Sequence, residues 1–211
     1  MTLNKLFDLL DDWRKLPAYQ LERRADIFFA IHLETIIEKK LKTKIDLIIP
    51  EFPIRVGEIS ANHSELNKSF KIDYLTFSKT ENKVFLIELK TDQSSRRDKQ
   101  DWYLESAAKI KVKGIIDGLI KIYNATSQKT KYNHLLDKIE NIGWIKKENK
   151  SIVNLNVDIQ PRVIYIQPLN EKKEPSTISF DDIIETLSNS DDFITKRFIE
   201  SLEKWKIDTN K

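Results

Sequence analysis

Cysteine is absent from the 211 residues, so neither a disulfide framework nor a cysteine-ligated zinc can hold this fold. A reducing compartment fits that absence, and a cytoplasmic protein is the expectation. Histidine is scarce: His32, His63 and His134 are scattered and match no zinc spacing. Only four glycines occur, which leaves little room for a phosphate-cradling loop and argues against NTPase and dinucleotide-binding classes. No Gly-x-Ser-x-Gly elbow is present. Long hydrophobic runs are missing as well. No apolar stretch approaches the ~20 residues of a membrane-spanning helix, and the opening Met-Thr-Leu-Asn-Lys-Leu-Phe-Asp holds no apolar signal core. No membrane partner is expected.

What is there suits a single domain over residues 1–211 that is large enough to bury a core. The net charge of +3 is small, but its distribution is uneven. From Arg96 to Lys150 there are 13 Lys or Arg against 7 Asp or Glu, a net of +6, which leaves −3 for the remainder. Such a stretch reads first as a solvated helical face in a lysine-rich chain, and it also suits a phosphate-tracking surface.

The chain is organised around Val84–Lys90, Val-Phe-Leu-Ile-Glu-Leu-Lys. This short apolar run, β-branched and aromatic, reads as a buried strand, yet it ends in Glu-x-Lys. Alternation with period two puts Glu88 and Lys90 on one face. Upstream, Lys71–Phe77 reads as a second strand with one acid, Asp73, among apolar neighbours. The polar residues 79–83 between them suit a hairpin turn, which would bring Asp73 and Glu88 together with Lys90 beside them.

Around this hairpin, helices are expected over Asn4–Lys15, ending at Pro17, and over Gln20–Lys42. On the second, Ile27, Ala30, Ile31, Glu34 and Leu41 follow one helical stripe, so Glu34 is read as an acid interrupting a core-facing row, with Glu22 and Glu38 less conspicuous. A strand bent near Pro50 and Pro53 suits a sheet edge, with Glu51 as a reserve ligand, and Val56–Ser69 reads as a loop. A helix follows over Asp98–Asn124, weakened by Gly114 and Gly118; Gln100 and Tyr103 share one of its faces. Then come a helix over Lys131–Ile145, a strand over Pro161–Leu169, and C-terminal helices over Phe180–Leu187 and Asp191–Trp205. Trp13, Trp102, Trp144 and Trp205 read as partly buried packing residues, with base stacking as the alternative for Trp102. The pattern describes an α/β (α+β) fold: a mixed central β-sheet flanked by helices, with a core over about 20–170 and a helical extension over about 171–211.

A helix bearing an acid, antiparallel strands bearing Ile72-Asp73-Tyr74, then Ile87-Glu88-Leu89-Lys90 and a helix, resembles the PD-(D/E)xK nuclease superfamily, the restriction-endonuclease-like fold. The resemblance covers about residues 20–103; Ile72 stands where that superfamily often has proline. It implies a phosphodiesterase dependent on Mg²⁺, or Mn²⁺, acting on nucleic acid, DNA more than RNA. By that resemblance Asp73 and Glu88 bind the metal, with Glu34 and the main-chain carbonyl of Leu89 as further ligands. Lys90 holds the attacking water, and Gln100 and Tyr103 help position the substrate. A homodimer is compatible with it by analogy. Two other classes stay open: a nuclease-like fold that binds nucleic acid or protein without catalysis, and a scaffold domain.

Overall fold

A computed structural model describes residues 3–60, 68–149 and 151–207. In chain order the elements are α1 (Leu3–Trp13), α2 (Leu21–Leu41), β1 (Leu47–Arg55), α3 (Val56–Ile59), β2 (Ser69–Ser78), β3 (Lys83–Leu89), a 3₁₀ turn (Gln93–Ser95), α4 (Asp98–Lys109), α5 (Lys111–Ala125), α6 (Lys129–Asn141), β4 (Ile145–Glu148), β5 (Ser151–Asn154), β6 (Arg162–Gln167), β7 (Thr177–Ser179), α7 (Phe180–Leu187) and α8 (Phe193–Ile207). The fold is the expected mixed α/β type. Its five-stranded sheet runs in the order β1-β2-β3-β6-β7, and β4 and β5 form a separate two-stranded sheet. The chain divides into two compact units: Met1–Ile45, Glu88–Arg97 and Ile164–Lys211 in one, Asp46–Ile87 and Asp98–Val163 in the other.

The first unit is built on an aromatic cluster from both chain ends. Phe7 of α1 packs on Phe28 of α2 with ring centres 4.6 Å apart, and Phe198 of α8 meets Phe29 edge-on at 5.0 Å. Trp205 is fully buried, and its indole N–H donates to Asp11 at 2.9 Å. Helix α7 starts with a capping box: the Ser179 hydroxyl accepts from the Asp182 N–H, and the Asp182 carboxylate accepts from the Ser179 N–H at 2.8 Å. β7, which pairs in parallel with β6 through Ile166–Ile178, was not anticipated; three residues are too few to show a period.

In the second unit β1, β2 and β3 form an antiparallel meander. The expected hairpin is present: Phe77 pairs with Val84 and Ser78 with Lys83. Between them the chain reverses with Asn82 in the left-handed region, φ 53°, a conformation asparagine tolerates. β1 is an edge strand, which is how it accommodates Pro50 and Pro53. The expected helix over Asp98–Asn124 is two helices, and the break falls at Ile110–Lys111 rather than at a glycine, with Lys111 left-handed at φ 59°. Gly118 is instead a close-approach residue: a Cβ there would lie 3.1 Å from Arg55 Cβ. Helix α6 stops at Asn141 in a Schellman turn, in which the Gly143 N–H bonds Glu140 O at 2.8 Å and the Trp144 N–H bonds Ile139 O at 3.2 Å. The β4–β5 hairpin after it replaces the end of the helix expected over Lys131–Ile145. The loop expected over Val56–Ser69 begins as the short helix α3; its middle, with His63, lies outside the described residues.

Candidate metal centre

β3 carries two charged residues into a sheet interior, and its apolar residues account for that. Phe85, Leu86 and Ile87 are fully buried, each worth roughly 1.5–3 kcal/mol of burial. They fix the strand so firmly that Glu88 and Lys90 are carried inside with it, at 2% and 5% exposure. Lys90 lies just past the end of β3, yet its N–H still bonds Ile166 O of β6 at 2.7 Å. The Glu-x-Lys segment is thereby held as extended backbone.

Two buried charges of opposite sign meet there. Lys90 Nζ donates to Glu88 Oε1 at 2.5 Å and lies 3.7 Å from Glu22 Oε2 of α2. Taking such ions out of water costs several kcal/mol each, which their pairing must offset. Asp73, half-buried in β2, belongs to the same locality. Its neighbour Tyr74 pairs with Ile87, the neighbour of Glu88. One carboxylate oxygen from each of Glu22, Asp73 and Glu88 lies within 4.8 Å of the others, the one group of this kind among the described residues.

The donor set fits a small hard cation. Mg²⁺ takes oxygen ligands at about 2.0–2.1 Å, so two oxygens on one ion stand at most about 4.2 Å apart; oxygens within 4.8 Å of one another need little movement to share it. Three carboxylates against one ammonium also leave a formal excess of two negative charges, which a divalent cation would neutralise.

The structure thus brings together Asp73, Glu88 and Lys90, as the sequence led us to expect. The helix acid in the group is Glu22 rather than Glu34. Glu34 is exposed, and so are its stripe partners Ile27 and Ile31, at 57% and 58%. The buried stripe of α2 runs instead through Phe29, Leu33 and Ile36, all at 0% exposure. Glu22 precedes these by 7, 11 and 14 residues, offsets that return to the same helix face. Phe29, Leu33 and Ile36 mark the inner side, and Ile27 and Ile31 the outer. Leu89 is buried as the last residue of β3. Glu51 is exposed, left-handed at φ 51°, and bridged to Lys71 at 2.8 Å. Gln100 and Tyr103 are half-buried on α4, where the Tyr103 ring packs 5.0 Å from Phe70.

No protein-family model, curated protein or solved structure matches this chain. Among the described residues no helix is long and apolar enough to cross a membrane.

Proposed function

We propose that this protein is a metal-dependent nuclease that hydrolyses phosphodiester bonds of nucleic acid, with DNA as its first candidate substrate. The observation that carries the reading is the grouping of Glu22, Asp73 and Glu88 within 4.8 Å, with Lys90 2.5 Å from Glu88. The element order supports it too. A helix, three antiparallel strands, further helices and a strand placed next to β3 follow the order expected from the PD-(D/E)xK resemblance.

In this reading Glu22, Asp73 and Glu88 hold the metal, with the Leu89 carbonyl as a further ligand and Glu34 left out. Bound Mg²⁺ would supply Lewis acidity, lowering the pKa of water and balancing phosphate charge. Lys90 has three donors and no acceptor. Fixed beside Glu88, it orients a water taken up next to that carboxylate and faces the negative charge that grows on the phosphoryl oxygens. Its own burial keeps it from exchanging this role with bulk solvent.

The test is calorimetric titration of Mg²⁺ and Mn²⁺ into the native protein, Asp73→Ala and Glu88→Gln. A cleavage screen over single-stranded, duplex and branched DNA follows. Metal binding and cleavage that both vanish in the variants, with circular dichroism unchanged, support the reading. Cleavage that persists in both variants overturns it. A nuclease-like fold that binds without cutting is the competing reading, favoured by Lys90 already neutralising Glu88. It requires salt-sensitive DNA binding that survives Asp73→Ala, and no cleavage by the native protein.

A further inference from the structure

Two of the four tryptophans are inside: Trp144 and Trp205 are 2% and 0% exposed. Trp102, in the first turns of α4, is 45% exposed. Trp13 is comparably open at 41%, but it belongs to an apolar groove with Leu3, Leu6 and Leu9. Trp102 has no such company on its own helix. Four residues before it stands Asp98, three before it Lys99 and three after it Glu105, all exposed.

The indole is nevertheless fixed. It meets the Tyr103 ring edge-on, with centroids 5.2 Å apart and planes at 65°. Tyr103 is held in turn by Phe70 of β2 at 5.0 Å and lies beneath Lys99 Nζ at 5.8 Å. A ring braced this way loses little freedom when something flat settles on it. Asp98, Lys99 and Glu105 together give this face no cationic excess to hold a phosphate, so what Trp102 offers a nucleic acid is the flat face of its ring, which suits a planar aromatic group. A nucleobase has that character, and its face is accessible only when the base is unpaired.

We infer that Trp102 is a stacking platform for an unpaired nucleobase, so that the nucleic acid this protein engages is single-stranded, or frayed, where α4 meets it. The inference rests on the nucleic-acid reading above and narrows its substrate class. Stacking needs no counter-ion release, so this contribution is insensitive to salt.

The experiment is fluorescence anisotropy in EDTA with three labelled probes of about twelve nucleotides: single-stranded oligothymidylate, a blunt duplex, and a base-free sugar–phosphate strand. Trp102→Ala should weaken binding of the oligothymidylate ~5- to 150-fold, the equivalent of about 1–3 kcal/mol, at low and high salt alike. Trp102→Phe should retain most of the affinity. Duplex and base-free strand should bind native protein and Trp102→Ala equally. Unchanged oligothymidylate affinity in Trp102→Ala, an equal loss on all three probes, or no binding of oligothymidylate by the native protein would overturn the inference. Its failure is separable from that of the nuclease reading. Cleavage lost in Glu88→Gln while Trp102→Ala binds normally removes the platform alone. Stacking-dependent binding without Glu88-dependent cleavage removes the catalysis alone.

Discussion

Two buried cations in this molecule have opposite surroundings. Arg197 of α8 pairs with Asp8 at 2.9 Å and with Glu200, and its guanidinium lies over the Phe7 ring at 5.5 Å. Its side chain is 11% exposed, but those of Asp8 and Glu200 are 65% and 58% exposed. Water still solvates both carboxylates, so the cluster stands by itself and ties α1 to α8. Around Lys90 the arrangement is inverted. The Glu88 side chain is 2% exposed, and two further acids crowd it. The pair itself is shut off from water, whereas the Glu22 side chain keeps 31% exposure, and burying two ions costs stability that their pairing must offset. The contrast separates an ion pair whose acids are wetted from one whose acid is buried with its cation.

Catalysis should divide the two clusters most sharply. Glu88→Gln is expected to reduce Mg²⁺-dependent cleavage to background, while Glu200→Gln leaves it at the native rate, as read by parallel assays on labelled DNA. Loss in both variants would mean that a general defect, rather than the acid group, was measured. Stability comes next. Lys90→Met leaves Glu88 buried without its cation and should cost roughly 3–5 kcal/mol in urea unfolding without metal. Arg197→Met strands only wetted carboxylates and should cost about 1 kcal/mol.

A smaller effect has opposite sign at the two places. Without metal, Asp73→Asn removes one of three mutually repelling carboxylates and should raise the melting temperature. Asp8→Asn removes an attractive partner of Arg197 and should lower it, by at most about 1 kcal/mol. Adding Mg²⁺ should stabilise the native protein and leave Asp73→Asn unmoved. Equal shifts in both variants would erase the distinction between the clusters.

The smallest expected effect concerns His32, which stacks on Phe198 at 5.7 Å between ring centres. Burial lowers its pKa, only partly opposed by the negative charge of Asp192. A histidine held neutral in the fold and free to protonate when unfolded contributes stability that is complete above about pH 6.5 and falls away as the pH drops through the unfolded value. His32→Phe should flatten the decline in stability between about pH 7 and pH 5. A decline as steep as in the native protein would place its origin elsewhere.

Much of this site is legible in the sequence. Strand periodicity is local, so Val84–Ile87 announced a buried strand. The two-residue step from Glu88 to Lys90 then placed both on one face, and the turn at residues 79–83 drew Asp73 alongside. Helix α2 was harder. Its apolar residues cover a broad arc, so spacing alone admits more than one inner face, and the stripe through Ile27, Ile31 and Glu34 satisfies helical periodicity while lying outside. The choice depends on which face finds partners, and the aromatic contacts of Phe28 and Phe29 with Phe198, about 170 residues away along the chain, are long-range facts.

The sequence by itself therefore determined the mixed α/β class, the β2–β3 hairpin and the trio Asp73, Glu88 and Lys90, because strand alternation and turn chemistry act between near neighbours. Only tertiary structure decided that Glu22 joins them, that α4 and α5 part at Lys111, and that Trp102 stays exposed. Each of those depends on which surfaces the rest of the chain covers.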